Sequence, residues 1–175
     1  HYREHVCEAA KAGADLIICG AGLPTDLPGI LKEAGFPQMP AIAPIVSSSR
    51  AANLILRMWD RRYGRTADLI VAEGPKAGGH LGFSREQLDK ITDSDFDEEI
   101  KDIVECKSKY EEKFGQKIPL FVAGGIFTAD DVRHALELGA DGVQVASRFV
   151  ATEECDASEA YKQAYLDAKE SDIQI

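Results

Sequence analysis

The sequence has no long apolar run and a shortage of positive charge. Its 175 residues include 20 lysines and arginines against 30 aspartates and glutamates, which gives a formal net charge of −10. A surface of that sign repels nucleic-acid phosphates and anionic membranes, so neither is an expected partner. No stretch approaches the roughly 20 consecutive apolar residues that a membrane-spanning helix needs.

Closely spaced cysteines are also missing. The chain has four cysteines and no CxxC pair, the four being Cys7, Cys19, Cys106 and Cys155. Zinc sites and disulfide frameworks usually bring cysteines together at short, regular spacings. We therefore expect no bound metal, no disulfide framework and a reducing, cytoplasmic location. Each cysteine is expected to act as a small apolar residue.

Short apolar runs alternate with amphipathic segments along the chain. The runs predict buried strands at residues 15–22, 41–46, 68–72, 119–126 and 141–147. The segments predict helices at 2–12, 26–34, 47–62, 95–114, 128–139 and 159–169, with a shorter helix and turn in 84–94. Such alternation requires parallel strands joined by right-handed helical crossovers. The sequence thus predicts one α/β domain over residues 1–175.

Helical spacing indicates which side chains face the core. Trp59 is interpreted as a core residue rather than a stacking platform, because it continues the apolar face of its helix. The helix at 95–114 is expected to turn Phe96, Ile100, Ile103, Tyr110 and Phe114 inward, and the helix at 128–139 to bury Val132, Ala135 and Leu136. His134 is interpreted as a surface or packing histidine. Thr128 with Asp131 predicts a capping box.

One stretch combines a buried strand with a glycine-rich loop: residues 69–83, LIVAEGPKAGGHLGF. Glycine permits positive φ and a close approach of backbone to ligand. His80 follows the carboxyl end of the strand, which is where barrel enzymes keep their catalytic groups. His80 is therefore a candidate catalytic residue. The alternative is an ordinary glycine loop that happens to hold one of the four histidines.

Two later strand ends predict a phosphate site. The fourth strand ends in Gly124 and Gly125 just before a helix, and Gln144 to Ser147 end the fifth strand one helix later. In β/α barrels the loops after the last two strands commonly bind phosphate through backbone N–H groups, helped by the helix dipole. The alternative is that the glycine pair only joins a strand to a helix.

These motifs together resemble one known family. VAEGPKAGGHLGF (71–83) and PLFVAGGI (119–126) with QVASRF (144–149) are similar to the nitronate monooxygenases and to their relatives, the flavin-dependent enoyl-ACP reductases. The resemblance implies an FMN-binding TIM-type (β/α)8 barrel, of which the five units here match the last five. We expect the chain to be part of a longer polypeptide, with unpaired strand edges and exposed apolar surface.

The resemblance also implies residue roles. His80 matches the base that removes the α-proton of a nitroalkane. The positions that match flavin contacts are Glu73, Gly78, Gly79, Gly124, Gly125, Gln144, Val145, Ala146 and Ser147. Many family members have glutamine in place of Glu73, and glycine and threonine in place of Ala146 and Ser147. Phosphate binding is little affected, because alanine leaves the backbone accessible and serine keeps a hydroxyl.

The implied activity is FMN-dependent oxidation of nitroalkanes or alkyl nitronates with O2. Two alternatives stay open: an NAD(P)H-dependent enoyl-ACP reductase on the same scaffold, and a non-catalytic partial barrel that binds flavin or phosphate. The expected partners are a small nitronate or nitroalkane and O2. A homo-oligomer is compatible with the sequence.

Overall fold

The chain forms five parallel strands joined by helices. The structure, a computed structural model, describes residues 1–174. The strands are β1 (Leu16–Cys19), β2 (Ala41–Val46), β3 (Ile70–Glu73), β4 (Leu120–Ala123) and β5 (Gly142–Gln144). They lie in the order β1-β2-β3-β4-β5, and each neighbouring pair is parallel. This sequential order is that of a barrel wall, and it confirms the predicted α/β class.

Helices connect the strands, and most begin where the sequence supplies a cap. They are α1 (Tyr2–Lys11), α2 (Leu27–Ala34), α3 (Ser49–Tyr63), α4 (Arg85–Leu88), α5 (Asp93–Phe114), α6 (Ala129–Glu137), α7 (Ser147–Val150) and α8 (Glu159–Asp167), followed by a 3₁₀ turn at Glu170–Asp172. The predicted capping box is confirmed, since Thr128 and Asp131 bond each other's backbone N–H groups. Within residues 1–174, no helix is both long and apolar enough to cross a bilayer.

The core lies between the sheet and the helices packed on it. Its fully buried side chains include Leu27, Leu31, Ile42, Ile55, Leu56, Ile70, Ile103, Ile118 and Leu120. Trp59 is fully buried as predicted, and its indole N–H donates to the Pro24 carbonyl at 2.9 Å. That hydrogen bond satisfies the indole N–H in the apolar interior. Cys19 is buried, the other three cysteines are half-buried, and all four are free thiols.

Acidic side chains tie neighbouring strands together where the strands begin. Asp68 accepts the Ile42 N–H at 2.8 Å, and Asp141 accepts the Leu120 N–H at 2.8 Å. The buried Lys107 ammonium lies 3.2 Å from Glu111 and 3.7 Å from Asp141. These contacts stabilise the amino-terminal ends of the strands. In β/α barrels the functional groups lie at the opposite, carboxyl ends.

The segment at residues 15–22, predicted as a buried strand running into a glycine turn, differs from the prediction in burial. Strand β1 covers four residues, in which Ile17 and Cys19 are buried while Leu16 and Ile18 are 38% and 45% exposed. The cause is that β1 is an outer strand of the described sheet, paired only with β2, so alternate side chains find no packing partner. Exposed apolar surface at an open edge matches what the sequence predicted.

Other boundaries also differ from prediction. Strand β5 ends at Gln144 rather than at residue 147, because Ser147 begins α7. Helix α5 begins at Asp93, two residues early, because Thr92 caps it. Ala135 is buried, but Leu136 is 47% exposed, since adjacent positions on a helix point about 100° apart. The sequence SDIQI at residues 171–175 has a strand-like pattern, but residues 171 and 172 lie in the 3₁₀ turn, and Ile175 is outside the described residues.

Candidate functional site

The carboxyl ends of the strands meet at one edge of the sheet and carry the predicted site residues. Glu73 is the last residue of β3, Gly124 follows β4 directly, and Gln144 is the last residue of β5. Because the strands are parallel, these three positions lie side by side. Two adjoining cavities open at this edge, and most of the predicted site residues line one or both of them.

The first cavity, of about 530 Å³, contains His80 and is called the histidine cavity below. Its wall combines Glu73 with apolar side chains from three strand ends, among them Leu23, Val46, Leu81 and Phe83. Close contact holds the loop in place, because a Cβ added at Gly82 would lie 2.7 Å from the Ser47 Cβ. A glycine at 82 is thus what lets the loop that carries His80 pack against the end of β2.

The second cavity, of about 220 Å³, contains the glycine pair and is called the glycine cavity below. Gly124 and Gly125 have φ values of +90° and +79°, which side chains with a Cβ rarely adopt. A Cβ on Gly124 would also lie 2.9 Å from the Ala77 nitrogen. The Gly74 N–H donates to the Ala123 carbonyl at 2.9 Å, so the β3 loop and the β4 turn form one unit.

The structure brings most of the predicted residues together, in two cavities rather than one. Glu73 lines both, and so connects His80 to the glycine pair. Four further predicted residues line the glycine cavity, namely Gly78, Gln144, Ala146 and Ser147. Gly79 and Val145 line neither of these two cavities: Gly79 is an exposed loop residue with φ of +89°, and Val145 is half-buried.

The electrostatics of this edge are acidic. Partial burial raises the pKa of Glu73 above its usual value. Hydrogen bonds from the Thr128 N–H, the Thr128 hydroxyl and the Phe127 N–H lower the pKa of Asp131. The carboxylate of Asp131 therefore already occupies the N–H groups of Phe127 and Thr128, just before α6. Within residues 1–174 no hydrogen bond engages the N–H groups of Gly125 and Ile126, which leaves these two as donors for an anion.

Sequence reasoning missed two cationic side chains near the glycine cavity. Lys76 lines it, between the β3 strand end and Gly78. Arg148 donates to the Phe127 carbonyl at 2.7 Å, with its guanidinium 5.1 Å from the centre of the Phe127 ring. Arg148 thus ties α7 to the β4 turn. The signal for Lys76 was present in the sequence, as a lysine inside the glycine-rich motif.

Within residues 1–174, no group of three or more His, Cys, Asp or Glu side chains is placed to hold a metal ion.

Comparison with known proteins agrees with this arrangement. The nitronate monooxygenase family model matches residues 1–175. A probable nitronate monooxygenase of Staphylococcus aureus is 33% identical over 111 residues, which is 62% of this chain and 28% of that protein. The chain therefore spans under a third of the length of these relatives.

Two solved structures share the fold. FabK from Thermotoga maritima is 28% identical with a TM-score of 0.67, over 93% of this chain and 43% of that one. A nitroalkane oxidase from Streptomyces ansochromogenes is 22% identical with a TM-score of 0.66, over 93% and 42%. The family resemblance inferred from the motifs is confirmed, and the chain belongs to the nitronate monooxygenase family.

Proposed function

We propose that the protein is an FMN-dependent oxidoreductase that oxidises nitroalkanes or alkyl nitronates with O2. The observation that carries the proposal is the position of Glu73, which joins the histidine cavity to the glycine cavity at the carboxyl edge of a parallel sheet. A flat cofactor with a phosphate tail needs such a pair of adjoining spaces. Family membership supports flavin as that cofactor.

The glycine cavity fits the phosphate end of FMN. Gly124 and Gly125 both have positive φ. A Cβ at Gly124 would lie 2.9 Å from the Ala77 nitrogen, and a Cβ at Gly125 would lie 2.9 Å from the Lys76 Cδ. The N–H groups of Gly125 and Ile126 and the hydroxyl of Ser147 would hold the phosphate oxygens. When bound, FMN would accept electrons from the substrate and react with O2.

His80 supplies the base. One ring nitrogen of the neutral imidazole takes the proton from the carbon next to the nitro group, and the substrate becomes a nitronate anion. Leu23 and Phe83 give the histidine cavity an apolar side for the alkyl group. A substrate that arrives as the nitronate needs no base, so His80 acts only on the nitroalkane.

A second candidate function is a flavin-dependent enoyl reductase. It is favoured by the likeness to FabK, at 28% identity. Such an enzyme passes hydride from NAD(P)H to an enoyl thioester. It would use the same two cavities for a different substrate, since fold does not decide the reaction.

One experiment separates the candidates. The full-length protein is purified with its bound flavin, and oxygen uptake on propionate 3-nitronate is compared with NADH oxidation on an enoyl thioester. We expect oxygen uptake that needs no NADH. NADH oxidation without oxygen uptake would favour the reductase. Flavin binding without either activity would favour a non-catalytic flavin-binding protein.

A further inference from the structure

The glycine cavity lies in acidic surroundings that disfavour a phosphate. Glu73 lines the cavity, and the Asp131 carboxylate accepts the N–H groups of Phe127, another lining residue, and of Thr128. The chain as a whole carries a net charge of −10. A phosphomonoester adds close to two more negative charges near pH 7. Backbone donors alone therefore have to hold a dianion beside two carboxylates, unless a cation is available.

Lys76 is the one cationic residue that lines the glycine cavity in the described part of the chain. Its alkyl stem lies across the glycine turn, because a Cβ added at Gly125 would be 2.9 Å from the Lys76 Cδ and 3.1 Å from its Cβ. The ammonium is at the end of that stem, within side-chain reach of the N–H groups of Gly125 and Ile126. Lysine binds phosphate as a mobile point charge, which suits this position.

Lys76 forms an ion pair with Asp93 that is weak enough for the ammonium to change partners. Its ammonium is 2.8 Å from the Asp93 carboxylate, at the first residue of α5. Both side chains are mostly exposed, at 61% for Lys76 and 74% for Asp93. Exposed ion pairs contribute little to stability, because water and salt screen them. A phosphate dianion with two fixed N–H donors beside it is a stronger partner than one exposed carboxylate.

We propose that Lys76 leaves Asp93 and pairs with the terminal phosphate of FMN bound at the Gly124–Gly125 turn. The proposal rests on the proposed function, in that the ligand is the phosphomonoester end of a flavin nucleotide. It adds a specificity determinant: Lys76 makes the site prefer FMN over riboflavin, which has the same ring system without the phosphate. Asp93 competes with the phosphate for the same ammonium.

The test compares two probes, FMN and riboflavin, on the flavin-free full-length protein, with binding followed by quenching of flavin fluorescence. We expect Lys76→Gln to weaken FMN binding about tenfold or more, the effect of losing one charge-assisted contact, and to leave riboflavin binding within about twofold. Lys76→Arg should keep most of the FMN affinity. Asp93→Asn should tighten FMN binding, because it frees Lys76. Lys90→Gln, at an exposed lysine between α4 and α5 that does not line the glycine cavity, is the matched control and should change neither.

Equal losses for FMN and riboflavin in Lys76→Gln would overturn the proposal, since they would show a structural role for the stem. An unchanged FMN affinity in that variant, with a wild type that prefers FMN, would overturn the role of Lys76 and leave the FMN site intact. A wild type that binds FMN no better than riboflavin would overturn both this inference and the proposed phosphate site.

Discussion

The backbone of Gly124 packs directly on that of Ala77: a Cβ added to Gly124 would lie 2.9 Å from the Ala77 nitrogen. Gly124 belongs to the turn after β4, and Ala77 to the loop after β3, three residues before His80. The proposed phosphate turn therefore supports the loop that carries the proposed base. A change at one is expected to disturb the other.

Replacing Gly124 with alanine should destabilise the protein and weaken flavin binding. The substitution imposes a Cβ at φ of +90° and against the Ala77 backbone, at a cost of about 1–3 kcal/mol in free energy of unfolding. Urea unfolding followed by Trp59 fluorescence measures it, since Trp59 is the only tryptophan.

The control is Gly78→Ala in the same loop. Gly78 has no positive φ, and a Cβ there would meet nothing within 4 Å, so we expect an unchanged urea midpoint. Equal stability for Gly124→Ala and Gly78→Ala would contradict the close contact between turn and loop.

Local signals in the sequence were enough for the fold. Alternating apolar and amphipathic segments predicted five parallel strands, and the Thr128–Asp131 capping box was identified from spacing alone. Such signals are reliable because each depends on residues a few positions apart. The glycine pair and His80 were likewise identified from their position after strand ends, and their catalytic and binding roles stay predictions.

Features that depend on distant neighbours could not be predicted. No local pattern shows that Leu16 and Ile18 are exposed on β1, and the expectation of exposed apolar surface came only from the family resemblance. The packing of Gly82 on Ser47, which holds the loop of His80 in the histidine cavity, joins residues 35 positions apart in sequence. The importance of Lys76 depends on its lying over Gly125, which only the folded backbone shows.

Removing Lys107, the buried lysine near the amino-terminal ends of the strands, should destabilise the protein strongly. Lys107 is 8% exposed and pairs with Glu111, which also accepts the Ile118 N–H at 2.7 Å. Lys107→Met leaves the half-buried Glu111 with only the exposed Lys117 ammonium, 4.0 Å away, so we expect a loss of about 3 kcal/mol in urea unfolding. Lys109→Met, which breaks an exposed pair with Glu105 on the same helix, should have no measurable effect. Similar midpoints for the two variants would show that Lys107 is not needed as a charge.

Glu73→Gln should change how stability depends on pH. Partial burial raises the pKa of Glu73 in the folded state above its ordinary value of 4.5. The folded state then binds the proton of Glu73 more tightly than the unfolded state, so protonation stabilises the fold. This stabilisation is complete below pH 4.5 and is lost as pH rises through the raised pKa. Glutamine does not titrate in this range, so the stability of Glu73→Gln should increase relative to that of the wild type between about pH 4 and pH 7.

The gain should be small, at most ~0.5 kcal/mol, because solvent screens a partly exposed carboxylate. Thermal melts of both proteins across that pH range measure the difference. A difference in melting temperature that stays constant with pH would contradict a raised pKa for Glu73.

The most direct test of the account is turnover by His80→Asn on two substrates that differ by one proton. Oxygen uptake is measured on a nitroalkane and on the corresponding nitronate, with the flavin-loaded full-length protein. We predict a loss of about 100-fold or more on the nitroalkane, the usual contribution of a general base, and little loss on the nitronate. Equal losses on both substrates would contradict His80 as the base at this edge of the sheet.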